Sequence, residues 1–275
     1  MALNLAQCDE AKEVLLAAGA IDVIRPLMAE GDLQGLKATM TCAFLGAPWD
    51  AFPDGGLPAA RAVAELMTNV TEKKGKDGQY AYGVFKIHAA TRAYRDLAAA
   101  ARDADDRDGG HARAAVLAQP AAVALCLRVV SDLVLAADDE KGGSKYVPDV
   151  RSAEHAAGAL ARLLPAVLAP GEPARPTKDG TCVEVATLLT RYADLAGTSP
   201  AGREVALQAA EEVREAGGTV RPALDAAHEQ WTQYRRREGQ PLDQFLVKEQ
   251  GVEVDESGPL DFLPCVNSES QCVIF

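Results

Sequence analysis

Apolar residues recur along most of this chain with the spacing of one helix face. Residues 150–169, VRSAEHAAGALARLLPAVLA, place Ala153, Ala156, Ala157, Leu160, Leu163, Leu164 and Val167 on a single i, i+3, i+4, i+7 stripe. The same stripe returns at Val123, Cys126, Leu127, Val130, Leu133 and Val134, and at Ala59, Ala62, Val63, Leu66, Met67 and Val70. It returns again at Val185, Leu188, Leu189, Tyr192 and Leu195, more briefly at Ile87, Ala90, Tyr94 and Leu97, and weakly at Ala206, Ala209, Ala210 and Val213. Each stripe predicts an amphipathic helix. Asp149 is placed to cap the helix that follows it, and Ser199 then Pro200 supply a cap and a first helical residue for another. Pro165 predicts a kink or an end in its helix, because it lacks an N–H and crowds the preceding turn.

Stretches rich in Gly, Pro, Asp and Lys separate the stripes, at residues 47–56, 71–78, 103–110, 137–145 and 170–180. They read as loops longer than a compact helical bundle uses. The periodicity stops at Gly239. Residues 1–238 therefore form the helical domain, and residues 239–275, acidic and interrupted by Gly258, Pro259 and Pro264, read as a flexible tail.

Composition sharpens this picture. The chain is 48% hydrophobic and only 5% aromatic, so its apolar mass is Ala, Leu and Val, residues that suit thin, closely packed helices. Strand-type runs are missing. The net charge of −12 repels a phosphate backbone and argues against nucleic-acid binding. Of six cysteines, Cys8, Cys42, Cys126 and Cys182 fall in apolar helical patterns and read as small core residues, a usage suited to a reducing compartment. No signal-peptide layout is present, and no apolar stretch is predicted to cross a bilayer; the longest candidate, residues 158–170, is broken by Arg162 and Pro165.

Two distant segments echo each other. Residues 18–29 read AGAIDVIRPLMA and residues 216–227 read AGGTVRPALDAA, each a helix end, a glycine suited to a left-handed cap and a new helix opening near a proline. His88 and His155 each begin a His-Ala-Ala run. On these residues the chain resembles the armadillo repeat family, whose unit of about forty residues ends in a long third helix and reopens with an AGAI-like junction. Residues 2–28 resemble that junction, HAAGALARLL at 155–164 resembles the third helix, and 36–47, 88–100 and 187–197 are looser matches. The resemblance spans about residues 2–228 and implies an all-α, right-handed superhelical solenoid with irregular loops. It also places Met1 inside a third helix, so the first repeat is expected to be truncated or degenerate.

In the armadillo family the third helices line a concave groove where an Asn of each clamps an extended partner. The resemblance puts Asn4 at that position, followed by Phe44, Asp96, Arg162 and Asp194, with Asp132 as a further member. Only Asn4 keeps the family's residue, and the spacing is uneven, which speaks against regular backbone clamping. Asp96, Asp132 and Asp194 on one groove would favour a basic segment of a partner protein.

The chain ends Cys272-Val273-Ile274-Phe275, a C-a-a-X pattern that resembles the prenylation signal, with a terminal Phe pointing to geranylgeranyl transfer by a protein prenyltransferase. One lipid holds a protein only marginally, and Glu253, Asp255, Glu256, Asp261 and Glu269 oppose anionic lipid, so Cys265 enters as a second, palmitoylated anchor, with Arg235, Arg236 and Arg237 able to help at a distance. Nearer at hand, those three arginines read as a basic last turn.

Motifs for chemistry are missing. His88, His111, His155 and His228 lack helical zinc spacing, and neither a phosphate loop nor a nucleophile elbow occurs. The reading is a cytoplasmic, non-catalytic protein-binding scaffold without metal or cofactor, peripheral on the cytoplasmic face of a membrane if lipidated. The alternatives are an all-helical enzyme or enzyme regulatory subunit, and a fragment of a larger armadillo protein.

Overall fold

The structure, a computed structural model, describes residues 2–30, 32–72, 81–82, 85–138, 150–169, 180–195, 197–216 and 222–237. Asp149, most of the predicted loops at 71–78, 137–145 and 170–180, and the whole tail with Cys265 and Cys272 lie outside the described residues.

The described chain is almost entirely helical. Twelve α-helices run α1 (Ala2–Leu5), α2 (Asp9–Ala17), α3 (Ala20–Ile24), α4 (Leu33–Leu45), α5 (Leu57–Glu72), α6 (Ile87–Asp108), α7 (Ala112–Leu117), α8 (Pro120–Asp138), α9 (Val150–Val167), α10 (Thr181–Asp194), α11 (Pro200–Glu215) and α12 (Pro222–Arg237). Two two-residue strands, β1 (Ala81–Tyr82) and β2 (Phe85–Lys86), pair antiparallel and were not foreseen.

The predicted stripes of α8 and α9 are buried faces. Val123, Cys126, Leu127, Val130 and Val134 of α8 and every stripe residue of α9 are enclosed. Ser199 caps α11 as expected, its hydroxyl accepting from the Gly202 N–H at 3.0 Å. The junction after α2 also forms, with Gly19 in the left-handed region at φ 70°.

Three sequence expectations change. Residues 103–108 are not loop but the last turns of α6. Ala101, Ala104 and Asp105 bury one side of them, and helix ends only at Gly109, φ 72°. The Asp105 carboxylate holds this corner by accepting from the N–H groups of Arg113 (3.1 Å) and Ala114 (2.8 Å), the first turn of α7. Pro165 does not end α9, which runs on to Val167; its missing N–H forfeits a single bond, to the Ala161 carbonyl one turn before it. Residues 47–56 form two short 3-10 turns folded around Trp49 and Phe52, both buried, and the Trp49 indole N–H donates to the Gly55 carbonyl at 2.8 Å. Gly56 lies flat on that indole: a Cβ there would come within 2.5 Å of it.

The apolar-span expectation is corrected too. Pro120–Ala137 of α8 is long and apolar enough to cross a membrane, with a mean hydropathy of 1.8, but 72% of it is buried inside the protein. It is a core helix that also carries Arg128 and Asp132. Cys42, Cys126 and Cys182 are buried as expected, while Cys8 is exposed at the start of α2.

Packing joins α4 to α6, α6 to α9 and α9 to α11, while α5, α8 and α12 pack in a second succession against them. Contacts of α5 with α6 and of α8 with α9 tie the two sets together, and α10 packs on both α11 and α8. At the N-terminal end the apolar surface is not covered among the described residues: Val14 is 68% exposed, Val23 is 73% exposed, and α3 buries none of its residues.

Candidate functional site

Helix α6 presents RAYRD, residues 92–96, between α4 and α9. Tyr94 points inward, fully buried, and its hydroxyl donates to the Leu117 carbonyl at 2.5 Å. That inward turn sets Arg92, Arg95 and Asp96 on the opposite, half-buried side. The Arg95 guanidinium grips Asp96 through Nε (2.8 Å) and Nη2 (2.6 Å). Arg92 Nε lies 3.6 Å from Asp96 Oδ2, its Nη1 donates to the Gln7 carbonyl at 3.1 Å, and its guanidinium stands 4.9 Å over the Phe44 ring.

Helix α9 closes the cluster from the other side. Arg95 Nη1 meets His155 Nδ1 at 2.8 Å. A guanidinium only donates, so Nδ1 accepts and the imidazole carries its proton on Nε2. Gly158 leaves room for the Arg95 stem, because a Cβ there would be 3.2 Å from Arg95 Cδ and 3.4 Å from Arg162 Nη1. Arg162 Nη1 donates back to the Gly158 carbonyl at 2.9 Å. Lys12 of α2 completes the ring: it acts on Asp96 electrostatically, and its Nζ would lie 3.5 Å from a Cβ at Gly46.

The electrostatics are uneven. Burial raises the Asp96 pKa above its ordinary 3.8, against the lowering pull of Arg95, Arg92 and Lys12. Burial also lowers the Arg162 pKa, with the Arg95 charge pushing the same way and Asp96 and Asp103 opposing. A site with four cations and one central carboxylate is therefore held on a chain of net charge −12.

The six residues predicted for the groove separate into distinct places. Asp96 and Arg162 come together across α6 and α9. Asn4 is exposed on α1, which packs on α4, one turn before the Gln7 carbonyl that Arg92 holds. Phe44 is not on the surface; only 1% exposed, it is the floor beneath Arg92. Asp194 is exposed at the end of α10, and it is α11, not the predicted α10, that follows α9 in the succession. Asp96 and Arg162 thus lie on neighbouring helices, while Asp194 lies apart from them, because α11 rather than α10 packs beside α9.

Asp132 belongs to a second, closed cluster. It lies on α8 with Arg128, whose guanidinium stacks 3.5 Å from the centre of the Tyr234 ring, and the Tyr234 hydroxyl reaches Asp132 Oδ2 at 3.3 Å. One turn away Trp231 donates to the Ser131 hydroxyl at 3.0 Å. His228 meets Glu184 at 3.0 Å, and Arg235, 1% exposed, lies 3.8 Å from Glu184 and 5.1 Å from the Trp231 ring. Arg235 is therefore internal, unlike the exposed Arg236 and Arg237, and the basic last turn read from the sequence is basic outside and cross-linking inside.

Sequence reasoning missed Lys12, Arg92 and Arg95, and singled out His155 only for its His-Ala-Ala run. The available signal was the spacing: Arg92, Arg95 and Asp96 share one helix face with i, i+3 and i+4 separations. An open cleft of about 550 Å³ elsewhere is lined by Arg61, Glu65, Asn69, Gln119 and Gln230. No cluster of metal-ligating side chains occurs among the described residues. Compared with family models, curated proteins and solved structures, the chain matches none.

Proposed function

We propose that this chain is a non-catalytic, armadillo-like protein-binding scaffold that takes an extended segment of a partner across α1, α4, α6 and α9, and that prenylation of Cys272 tethers it to the cytoplasmic face of a membrane. The observation that carries the reading is a row of polar groups running from the turn after α1 to α9: Arg92 donates to the Gln7 carbonyl, Arg92 and Arg95 both face Asp96, Arg95 meets His155, and Arg162 feels the charges of Arg95 and Asp96. Side-by-side packing of α4, α6, α9 and α11 against α5, α8 and α12 supports a solenoid, whose rows present such faces. The open, polar character of this face, with an arginine and no nucleophile–base pair at its centre, favours binding over catalysis.

Two experiments address the two halves. Peptides enriched from a displayed random library on the full chain should protect α6 and α9 backbone amides from hydrogen exchange; failure of enrichment, or protection confined to other helices, rejects the groove. Membrane fractionation of the wild type against Cys272→Ser should move the protein to the soluble fraction; equal distributions reject the tether.

A further inference from the structure

Within that groove, the cations outnumber their partners. Arg162 makes a single hydrogen bond, to a carbonyl of its own helix, and no carboxylate of the described residues lies within 4.0 Å of it. Arg92 Nε is buried without a hydrogen-bond partner, since Asp96 stands at 3.6 Å. Arg95 spends one side on Asp96 and turns the other toward a neutral imidazole. Asp103, exposed and further along α6, is the remaining carboxylate that acts on Arg162.

We infer that this face binds an acidic, extended segment of a partner protein, with carboxylates of that segment pairing with Arg95 and Arg162 and a third charge reaching Arg92 and Lys12. The inference rests on the groove reading above and fixes the sign of its ligand. It replaces the basic partner expected when Asp96, Asp132 and Asp194 were placed on one groove, because only Asp96 is on this face and it is already surrounded by arginine. Spacing supports an extended chain: alternate side chains of a strand stand about 7 Å apart, and neighbouring packed helices about 8–10 Å. A segment crossing from α6 to α9 can thus offer carboxylates to Arg95 and Arg162 in turn. Guanidinium–carboxylate pairs are short, charge-assisted and often two-pronged, which favours arginine at such positions. Nucleic acid fits poorly, because its dense charge would meet a chain whose net charge is −12.

The test is fluorescence anisotropy of the full chain with a labelled peptide of about twelve residues alternating Glu and Ala, beside its Gln and Lys counterparts. The Glu peptide should bind saturably and lose affinity as salt is raised, and the Gln peptide should not bind. Arg162→Gln should weaken the Glu peptide about five- to tenfold, while Arg236→Gln, exposed on α12, should leave it unchanged. Arg162 makes only one hydrogen bond, so its variant should keep the wild-type thermal midpoint, which separates lost binding from lost folding. Selective binding of the Lys peptide, lost on Arg162→Gln, would overturn the acidic ligand and leave the groove standing. Binding of no peptide, or equal loss in both variants, would overturn the inference. So would inorganic phosphate competing as strongly as the peptide, or an oligodeoxythymidine binding more tightly. If Glu peptide binds only after Glu253, Asp255 and Glu256 are changed to Gln, the chain's own acidic residues are the occupant and the partner is refuted.

Discussion

The same five-residue device occurs twice, and the two copies have opposite fates. On α6 the order is RAYRD and on α8 it is RVVSD, each with an arginine four residues before an aspartate and each with the arginine over an aromatic ring. Arg92 stands 3.6 Å from Asp96 and Arg128 stands 3.8 Å from Asp132. The copy on α8 is roofed by α12: Tyr234 covers Arg128 and reaches Asp132, and Trp231 seals the next turn. The copy on α6 has its ring beneath it, as the floor provided by Phe44, and its side chains keep 18% and 17% exposure against 5% and 7% for the pair on α8. An aromatic laid over a charged pair makes it part of the core, and an aromatic laid under it makes it a displayed site. Charge pattern within a helix does not decide between these; the partner helix does.

Breaking the roof gives the largest expected effect. Trp231 is fully buried, donates to Ser131 and stacks near Arg235, so Trp231→Ala should cost about 3–5 kcal/mol and lower the thermal midpoint by about 10 °C. Denaturant unfolding followed by circular dichroism checks this; a loss below about 1 kcal/mol would show that the roof is ornamental. The Asp105 corner is next. Asp105→Ala leaves the buried Ala114 N–H and the part-buried Arg113 N–H at the start of α7 without their acceptor, and should cost about 2 kcal/mol by the same measurement. Tyr234→Phe removes only the hydroxyl that reaches Asp132 and should cost about 1 kcal/mol or less, given the long 3.3 Å contact.

The smallest effect is one of pH, and it belongs to the open copy. Burial raises the Asp96 pKa above 3.8 in the folded protein, so the folded state holds that proton more tightly than the unfolded chain does. The resulting stability is full below the ordinary aspartate range and is lost as pH rises through the raised folded value. Asp96→Asn cannot titrate, so its unfolding midpoint should gain on the wild type between the ordinary aspartate range and neutral pH. A constant difference across that range would show that Asp96 is not strained by its burial.

The contrast also marks how far the sequence could be read. Helix stripes were legible because periodicity is local: the faces carrying Val123 to Val134 and Ala153 to Val167 are the faces that became buried. The last turns of α6 were hidden because their polar run looks like a loop until Ala101, Ala104 and Asp105 find a neighbour. The role of Trp49 was hidden because residues 47–56 have loop composition but fold around an indole that packs on Gly56. For the site, Asp96 and Arg162, two of the residues expected in the groove, lie near enough to interact electrostatically. Phe44 was misplaced because exposure is a property of the assembled helices, and Asp132 because its roof comes from α12, about a hundred residues away, as the Trp231–Ser131 bond records.

The central claim is that Asp96 sits on a display site and Asp132 in a closed one. Measuring Asp96→Asn and Asp132→Asn side by side, for unfolding free energy and for affinity toward the Glu-Ala peptide, tests it most directly. Asp96→Asn frees Arg95 and Arg92 for the ligand, so affinity should rise several-fold with stability within about 1 kcal/mol of wild type. Asp132→Asn should lower stability by about 2 kcal/mol, because it uncouples a buried charge pair, and leave the affinity of the folded protein unchanged. If the two variants exchange these behaviours, or lose stability equally with no change in affinity, the distinction between the open and the closed copy is wrong.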